Sequence, residues 1–474
     1  MNLLRRTKIV ATLGPASQSP EILRGMIAAG VNVVRLNFSH GTPDEHAHRL
    51  ESVRRAADEI GVPLGVLVDL PGAKIRVGDL PGGMVDLAAG DQVVLSAGTA
   101  SDGGTIPVDY SHLADDVRPG QHVFMQDGEL DLVVRGVVAG RVHCTVEFGG
   151  RLRERAGVNL PGATLSMPAV TEDDLLALAW GITHGVDFAA LSFIESADDI
   201  KQARRWIEGR GRAIRLVAKI ERRRALDQIE EIVAAADGVM IARGDLAVET
   251  SIEEVPVVQK AIIGLCNRHG KPVITATQML ESMVVRPRPT RAEAADVANA
   301  VFDGTDALML SGETAIGRHP VGAVTTMASI AARAEEALPY ELLLDRHARE
   351  RVGETGEAIA LAACQAAEAI GAAAIVAATG SGSTARRVSR LRPRRPIVAV
   401  THTAETLRQL SLTWGVWPVL VDRISEIDAL VARGIRAAVE LGIARPGDQI
   451  VVTAGLPIGE PGTTNFLKVV KVEG

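Results

Sequence analysis

Cysteine is scarce in this chain: Cys144, Cys266 and Cys364 lie far apart, are odd in number and form no CxxC pair. Neither a disulfide framework nor a zinc cluster is indicated, and a reducing cytoplasm is the expected setting. Long apolar runs are also missing, since none reaches the roughly 20 residues that cross a bilayer. Arg5, Arg6 and Lys8 precede only IVATL before Gly14 and Pro15, too short a stretch for the apolar segment of a secretion signal. Nor does positive charge dominate. With 51 Lys and Arg against 58 Asp and Glu, the net charge of −7 offers nucleic acid no basic face, while leaving room for a local basic pocket that takes a small anion. A soluble, cytoplasmic protein with neither membrane nor nucleic acid as partner is expected.

Apolar residues at 47% and charged residues at 23% are ordinary for a globular enzyme and exclude a disordered chain. A length of 474 residues implies about three domains, because single cores stop growing at roughly 250. Strand-like and helix-like runs alternate. TKIVATL leads to a helix capped by Ser19, with Pro20 next and Gly30 at its exit; VNVVRLNF leads to a second, with Thr42, Pro43 and Glu45 forming a capping box and Gly61 beyond the end. PLGVLVDL follows. The alternation then stops and resumes near residue 171, where VDFAALSF, IRLVAKIE, GVMIARGD, KPVITATQ and TDALMLSG complete a set of eight. Eight buried strands with intervening helices predict a closed (β/α)8 TIM barrel over 1–70 and 166–337, with an open doubly wound sheet as the alternative. The interruption, 71–165, has short alternating runs such as DQVVLS and RVHCTVEF and is predicted to be a small β-barrel lid domain. Residues 338–474, with AIVAATG, PIVAVTH, WPVLV and DQIVVTAG, read as a further α/β domain.

Several barrel strands end in polar clusters, although strands buried on both faces should be apolar throughout. LVAKIE closes on Lys219 and Glu221, VMIARGD on Asp245, PVITATQ on Thr277, and VNVVRLNFSH on Arg35, Asn37 and Ser39. Side chains alternate across a strand, so Lys219 and Glu221 share a face, as do Arg35, Asn37 and Ser39. Sites in such barrels lie at the carboxyl ends of the strands, where a cation, two carboxylates and a hydroxyl would then converge. Glu221 and Asp245 are hard oxygen ligands suited to Mg²⁺ or Mn²⁺; a salt-bridge network with Lys219 and Arg35 is the alternative. Lys219 in an apolar strand needs carboxylate neighbours or an incoming anion, as a transferring phosphoryl group would be. ARGD opens into a helix, so amides near Gly244 and Asp245 are placed to meet a carboxylate or phosphate. Thr277 alone reads as a strand former. Arg35 and Arg76 are candidate phosphate clamps, and His40 reads as a loop histidine.

KIVATLGPAS, VNVVRLNFSHG, DLPGAKIRVG, GVNLPG, VAKIE, ARGDLAVE, ATQMLESM and PTRAEAADVANAVFDGTDALMLSGETA, in this order across essentially the whole chain, resemble the pyruvate kinase family. The resemblance implies transfer of the phosphoryl group of phosphoenolpyruvate to ADP, giving pyruvate and ATP, with the lid closing over the nucleotide. It assigns Glu221 and Asp245 to the divalent ion, Lys219 to the phosphoryl group, and Thr277 with Gly244 and Asp245 to substrate. Arg35 and Arg76 fall where the family contacts phosphate, and Asn37, Phe38, Ser39 and His40 beside the nucleotide. Protonation of the enolate is assigned to Thr277 or to a water chain reaching Ser311 and Glu313. A homotetramer is implied. So is an effector site for a sugar phosphate or AMP in the third domain, where Thr379, Ser381, Gly382, Ser383 and Thr384 join a strand to a helix as a phosphate cradle would.

Three departures matter. Potassium-dependent members carry Glu at Lys74 and Thr at Leu70; an ammonium near Asp69, Asn37 and Ser39 would replace the monovalent ion, so activity without K⁺ is expected. Ala156 stands where lysine is frequent, leaving Arg155 as the lid contact. Ala247 replaces a glycine in ARGDLAVE, a packing change. Two other readings remain open at this point: a magnesium-dependent lyase or mutase acting on phosphoenolpyruvate or pyruvate enolate, and a silent protein that only binds phosphometabolites.

Overall fold

A computed structural model describes residues 5–211, 213–349, 353–458, 460 and 462–473. Lys8–Thr12, Val33–Asn37, Gly65–Asp69, Phe188–Leu191, Arg215–Ile220, Gly238–Ala242, Val273–Ala276 and Ala307–Leu310 are the first to eighth strands of a closed, all-parallel barrel. Alternation splits each strand between two environments. Val10, Val33, Leu67, Ala190, Val217, Met240, Ile274 and Met309 fill the interior. Ile9, Val34, Val68, Leu216, Val239 and Leu308, on the other face, pack against the helices. Local signals set the helix ends as expected. Ser19 accepts from Ile22 N to start Pro20–Ala29, and Thr42 and Glu45 form the capping box of Pro43–Ile60, which stops where Gly61 takes φ +74°. Between the fifth and sixth strands lie two short helices, Arg223–Asp227 and Ile229–Ala235, broken at Gln228.

The insert holds a six-stranded sheet in the order Val158–Asn159, His122–Met125, Leu130–Val138, Arg141–Phe148, Gln92–Ala97, Ile106–Val108, and a separate antiparallel pair, Met84–Leu87 with Gly150–Arg153. Its two edges are joined by the segment after the third barrel strand: Arg76 bridges Gly157 and Val77 bridges Val108. That bridging rounds the sheet onto a core of its own, with Val123, Leu132 and Val146 among the buried residues.

In the third unit, Val416–Leu420, Ile397–Thr401, Ala374–Ala378, Gln449–Gly455 and Thr464–Lys471 form a sheet in that order. All its pairs are parallel except the last, which is antiparallel. That closing strand and the helix Thr355–Ala369 were not foreseen in the sequence. Among the described residues no helix is long and apolar enough to cross a membrane. All three cysteines are free and buried.

Candidate active site

The barrel interior turns polar at the carboxyl ends of its strands. Val217 faces inward, so Lys219, two residues on, does too, and Glu221 follows one residue beyond the fifth strand. Lys219 Nζ lies 2.8 Å from Glu221 Oε1 and 3.2 Å from Asp69 Oδ1, and donates to Ser192 Oγ at 2.7 Å. Asp69 Oδ2 accepts from Arg35 Nε at 2.6 Å, while Arg35 Nη1 donates to Thr12 Oγ1 at 3.0 Å. Phe193 N donates to the remaining Glu221 oxygen at 2.7 Å. Thr12, Arg35, Asp69, Ser192 and Lys219 thus link the ends of the first five strands into one network.

Burial makes this network electrostatically demanding. Asp69 and Glu221 are each 1% exposed and Lys219 9%, so an unpaired charge would cost several kcal/mol. Burial alone would lower the Lys219 ammonium, but the Asp69 and Glu221 carboxylates overturn this and hold it charged, above the usual lysine range. Burial likewise works against ionised Asp69, and the Arg35 and Lys219 cations bring it below the usual carboxylate range. Glu221 goes the other way: burial raises it and the Asp245 charge adds to that, with Lys219 opposing.

Asp245 lies just past the sixth strand, in the helix Arg243–Glu249. Its Oδ1 is 3.4 Å from Lys74 Nζ, which also approaches Asp127 of the insert at 3.9 Å. Among the described residues no ion pair joins Lys74 to Asp69. Thr277, at φ +69° directly after the seventh strand, accepts from Gly244 N at 2.9 Å and donates to Ala276 O at 2.6 Å. Arg243 fastens the turn by donating to Thr277 O at 2.8 Å and pairing with Asp296 at 2.8 Å. Gly244, Asp245 and Thr277 are therefore held as a unit.

The other expected residues are more dispersed. Asn37 Oδ1 accepts from Ser39 N at 3.2 Å, and Ser39 and His40 are exposed. Phe38 turns to the helix layer, stacked on His46 at 4.2 Å and 5.0 Å from Trp180. Leu70 is buried and its carbonyl accepts from Ser192 Oγ at 2.7 Å. Arg76 stays in the insert, donating to Arg155 O at 3.1 Å, and Arg155 pairs with Asp79 at 2.7 Å. Thr379, Ser381, Ser383 and Thr384 line a cavity of about 160 Å³ in the third unit. Gly382, at φ +83°, makes the turn between them.

Sequence reasoning missed Thr12, Ser192, and the pair formed where Asn159 of the insert donates to Glu249 of the barrel at 3.2 Å. Ser192 carried a signal, because it continues the inward alternation of Ala190 at a strand end.

The family model described as pyruvate kinase, barrel domain, matches residues 4–324, and that described as pyruvate kinase, alpha/beta domain, matches 357–470. The chain belongs to the pyruvate kinase family. Curated pyruvate kinases from Sporosarcina psychrophila, 44% identical over 470 residues, and Geobacillus stearothermophilus, 45% over 471, each align with 98% of this chain and 80% of their own length. One from Staphylococcus aureus (strain MRSA252) is 45% identical over 473 residues, with the same coverage. Family membership makes the chain a phosphotransferase of the kinase class, with phosphoenolpyruvate and ADP as the substrates that it implies.

Proposed function

We propose that phosphoryl transfer from phosphoenolpyruvate to ADP takes place at this barrel mouth, with Lys219 facing the phosphoryl group and Glu221 and Asp245 holding a divalent ion. The observation that carries the reading is the Lys219 ammonium, buried and kept charged between Asp69 and Glu221 where the strands open. Among the described residues no group of three or more His, Cys, Asp and Glu side chains gathers as a metal cage. A two-carboxylate set suits Mg²⁺ or Mn²⁺, which keep waters and take substrate oxygens. The mutual repulsion of Glu221 and Asp245 is the strain such an ion relieves. When bound, the ion supplies charge neutralisation at the phosphoryl and enolate oxygens.

Each protein group then has a bounded task. Arg35, oriented by Asp69 and Thr12, presents its remaining N–H groups to phosphate, and Arg76 approaches from the lid. Gly244, Asp245 and Thr277 form the wall for the substrate carboxylate, and Asn37, Ser39 and His40 mark the nucleotide side, with Phe38 packed behind them on His46. The Thr277 proton is engaged by Ala276 O, so a relay serves better than the hydroxyl alone. Ser311 supports that relay. Among the described residues its Oγ is buried without a hydrogen-bond partner, beside Glu313, whose carboxylate accepts from Ser311 N and Leu280 N.

Lys74 replaces K⁺ in this reading, delivering its charge beside Asp245 rather than beside Asn37, Ser39, Asp69 and Leu70. Residues 71–165 act as the lid over the nucleotide on the barrel of 1–70 and 166–337. Residues 338–474 form the regulatory part, whose cradle at 379–384 takes a sugar phosphate or AMP in a cytoplasmic homotetramer. The test is pyruvate release from phosphoenolpyruvate in K⁺-free buffer with Mg²⁺. Release that depends on ADP is expected; equal release without ADP would mean hydrolysis, with water in place of ADP accepting the phosphoryl group, and would contradict the reading.

A further inference from the structure

We infer that the crevice between the amino-terminal end of the barrel and the C-terminal domain is a second anion site, shaped for a phosphate-type dianion, which adjoins the cradle through Ser383. A cavity of about 300 Å³ opens there. From the barrel it is lined by Arg215, at the start of the fifth strand, and Lys271, just before the seventh. Arg386, Arg387 and Arg390, all on the helix Ser383–Arg390, line it from the other side.

Carboxylates balance only part of this charge. Arg215 pairs with Asp237 at 3.0 Å, Arg387 with Glu354 at 3.3 Å, and Arg390 with Glu357. Lys271 and Arg386 have no ion pair among the described residues. Lys271 Nζ donates to the carbonyls of Ala234 and Ala236 at 3.2 and 2.6 Å, and Arg386 Nη2 donates to Ser381 O at 3.0 Å. Carbonyl acceptors satisfy the N–H groups but leave the unit charges unneutralised. Burial, reinforced by the Arg215 guanidinium, brings Arg386 down to about 10. Lys271 is also lowered, by burial first and by the surrounding arginines, with Asp237 opposing. Five cations against three carboxylates leave two positive charges facing one cavity, with guanidinium forks that match a tetrahedral oxyanion. His269 also lines it and adds no charge when neutral.

The position gives such an anion leverage. The same helix begins at the cradle, Arg215 Nη2 reaches Ser381 O at 3.4 Å, and Arg215 shares its strand with Lys219. The inference does not rest on the cradle reading.

Calorimetric titration of the full chain at low salt tests it, with inorganic phosphate and with glycerol phosphate as probes. Arg386→Gln should weaken binding by about tenfold, the effect of one charge-assisted hydrogen bond, and should not lower the melting temperature because it removes an unbalanced cation. Lys271→Gln is the second variant should the first fail to fold. Ser425→Glu, which places a negative charge at the cradle cavity, should remove any cradle phase of the titration and leave the crevice phase unchanged. Tighter binding of glycerol phosphate would name an organic phosphate as the source, and equal binding free phosphate. The inference is overturned by absence of binding to the wild-type chain, by unaltered affinity in both crevice variants, or by loss of the crevice phase in Ser425→Glu.

Discussion

Glu221 shows how one buried side chain is tuned by its neighbours into a pH-sensitive group. Burial, with the Asp245 charge adding and Lys219 opposing, holds it above the ordinary glutamate value of about 4.3, so on acidification it takes up a proton sooner than a free side chain would. The acid limb of kcat/KM should therefore break above that value. Because metal and proton compete for the same carboxylate, raising free Mg²⁺ should move the break to lower pH. A profile measured at two Mg²⁺ concentrations checks both points, and a break independent of Mg²⁺ would remove Glu221 from the metal. Lys219 and Glu221 were legible in the sequence because charges stand out in an apolar strand. Thr12 was not, since a small hydroxyl in a strand reads as packing, and Ser192 was marked only by its inward alternation with Ala190; the folded barrel shows that Arg35 and Lys219 each need one.

Among the elements, the turn from the sixth strand into Arg243–Glu249 separates stability from function most cleanly. Gly244 has helical geometry, and a Cβ added there would meet Thr277 at 3.8 Å, an ordinary contact. Alanine is favoured over glycine in helices by about 1 kcal/mol, so Gly244→Ala should hold or raise stability in denaturant titrations. It should nonetheless raise KM for phosphoenolpyruvate several-fold by crowding the backbone that meets substrate. An unchanged KM would place substrate elsewhere. Helix caps carry comparable energies. Thr290→Ala removes the capping box with Glu293 and should cost about 1 kcal/mol in the same titrations, with kcat unaffected. Such caps, like the eight inward-alternating strands, are local patterns and could be read directly. The closure of the insert by Arg76 and Val77 could not, because its bridges join residues far apart in sequence without alternation. The strand Thr464–Lys471 escaped for a related reason: it alternates weakly and, as the edge of its sheet, pairs on one side only.

For the whole molecule, charge balance joins the barrel to its insert. Lys74 leaves the third strand, enters the insert, and places its ammonium between Asp245 of the barrel and Asp127 of the insert. Closure of the lid would thus carry a fixed cation to the metal side of the site. On the proposed role of Lys74, the wild-type enzyme should need no K⁺ and Lys74→Glu should gain turnover of at least about tenfold with added K⁺, a monovalent ion then supplying the missing charge. Equal K⁺ dependence of the two proteins in sodium-free assays would contradict that role. The three-part division was readable from the interruption of the alternation, whereas this docking was not, because it depends on how separately folded parts meet. The proposed function rests on one arrangement, a lysine held charged at the barrel mouth beside the carboxylates proposed to hold an ion. The most direct measurement is turnover of Lys219→Met alongside its binding of Mn²⁺ and phosphoenolpyruvate. The account predicts loss of about 10²–10³-fold or more in kcat with Mn²⁺ and phosphoenolpyruvate still bound, and near-normal turnover in that variant would contradict it.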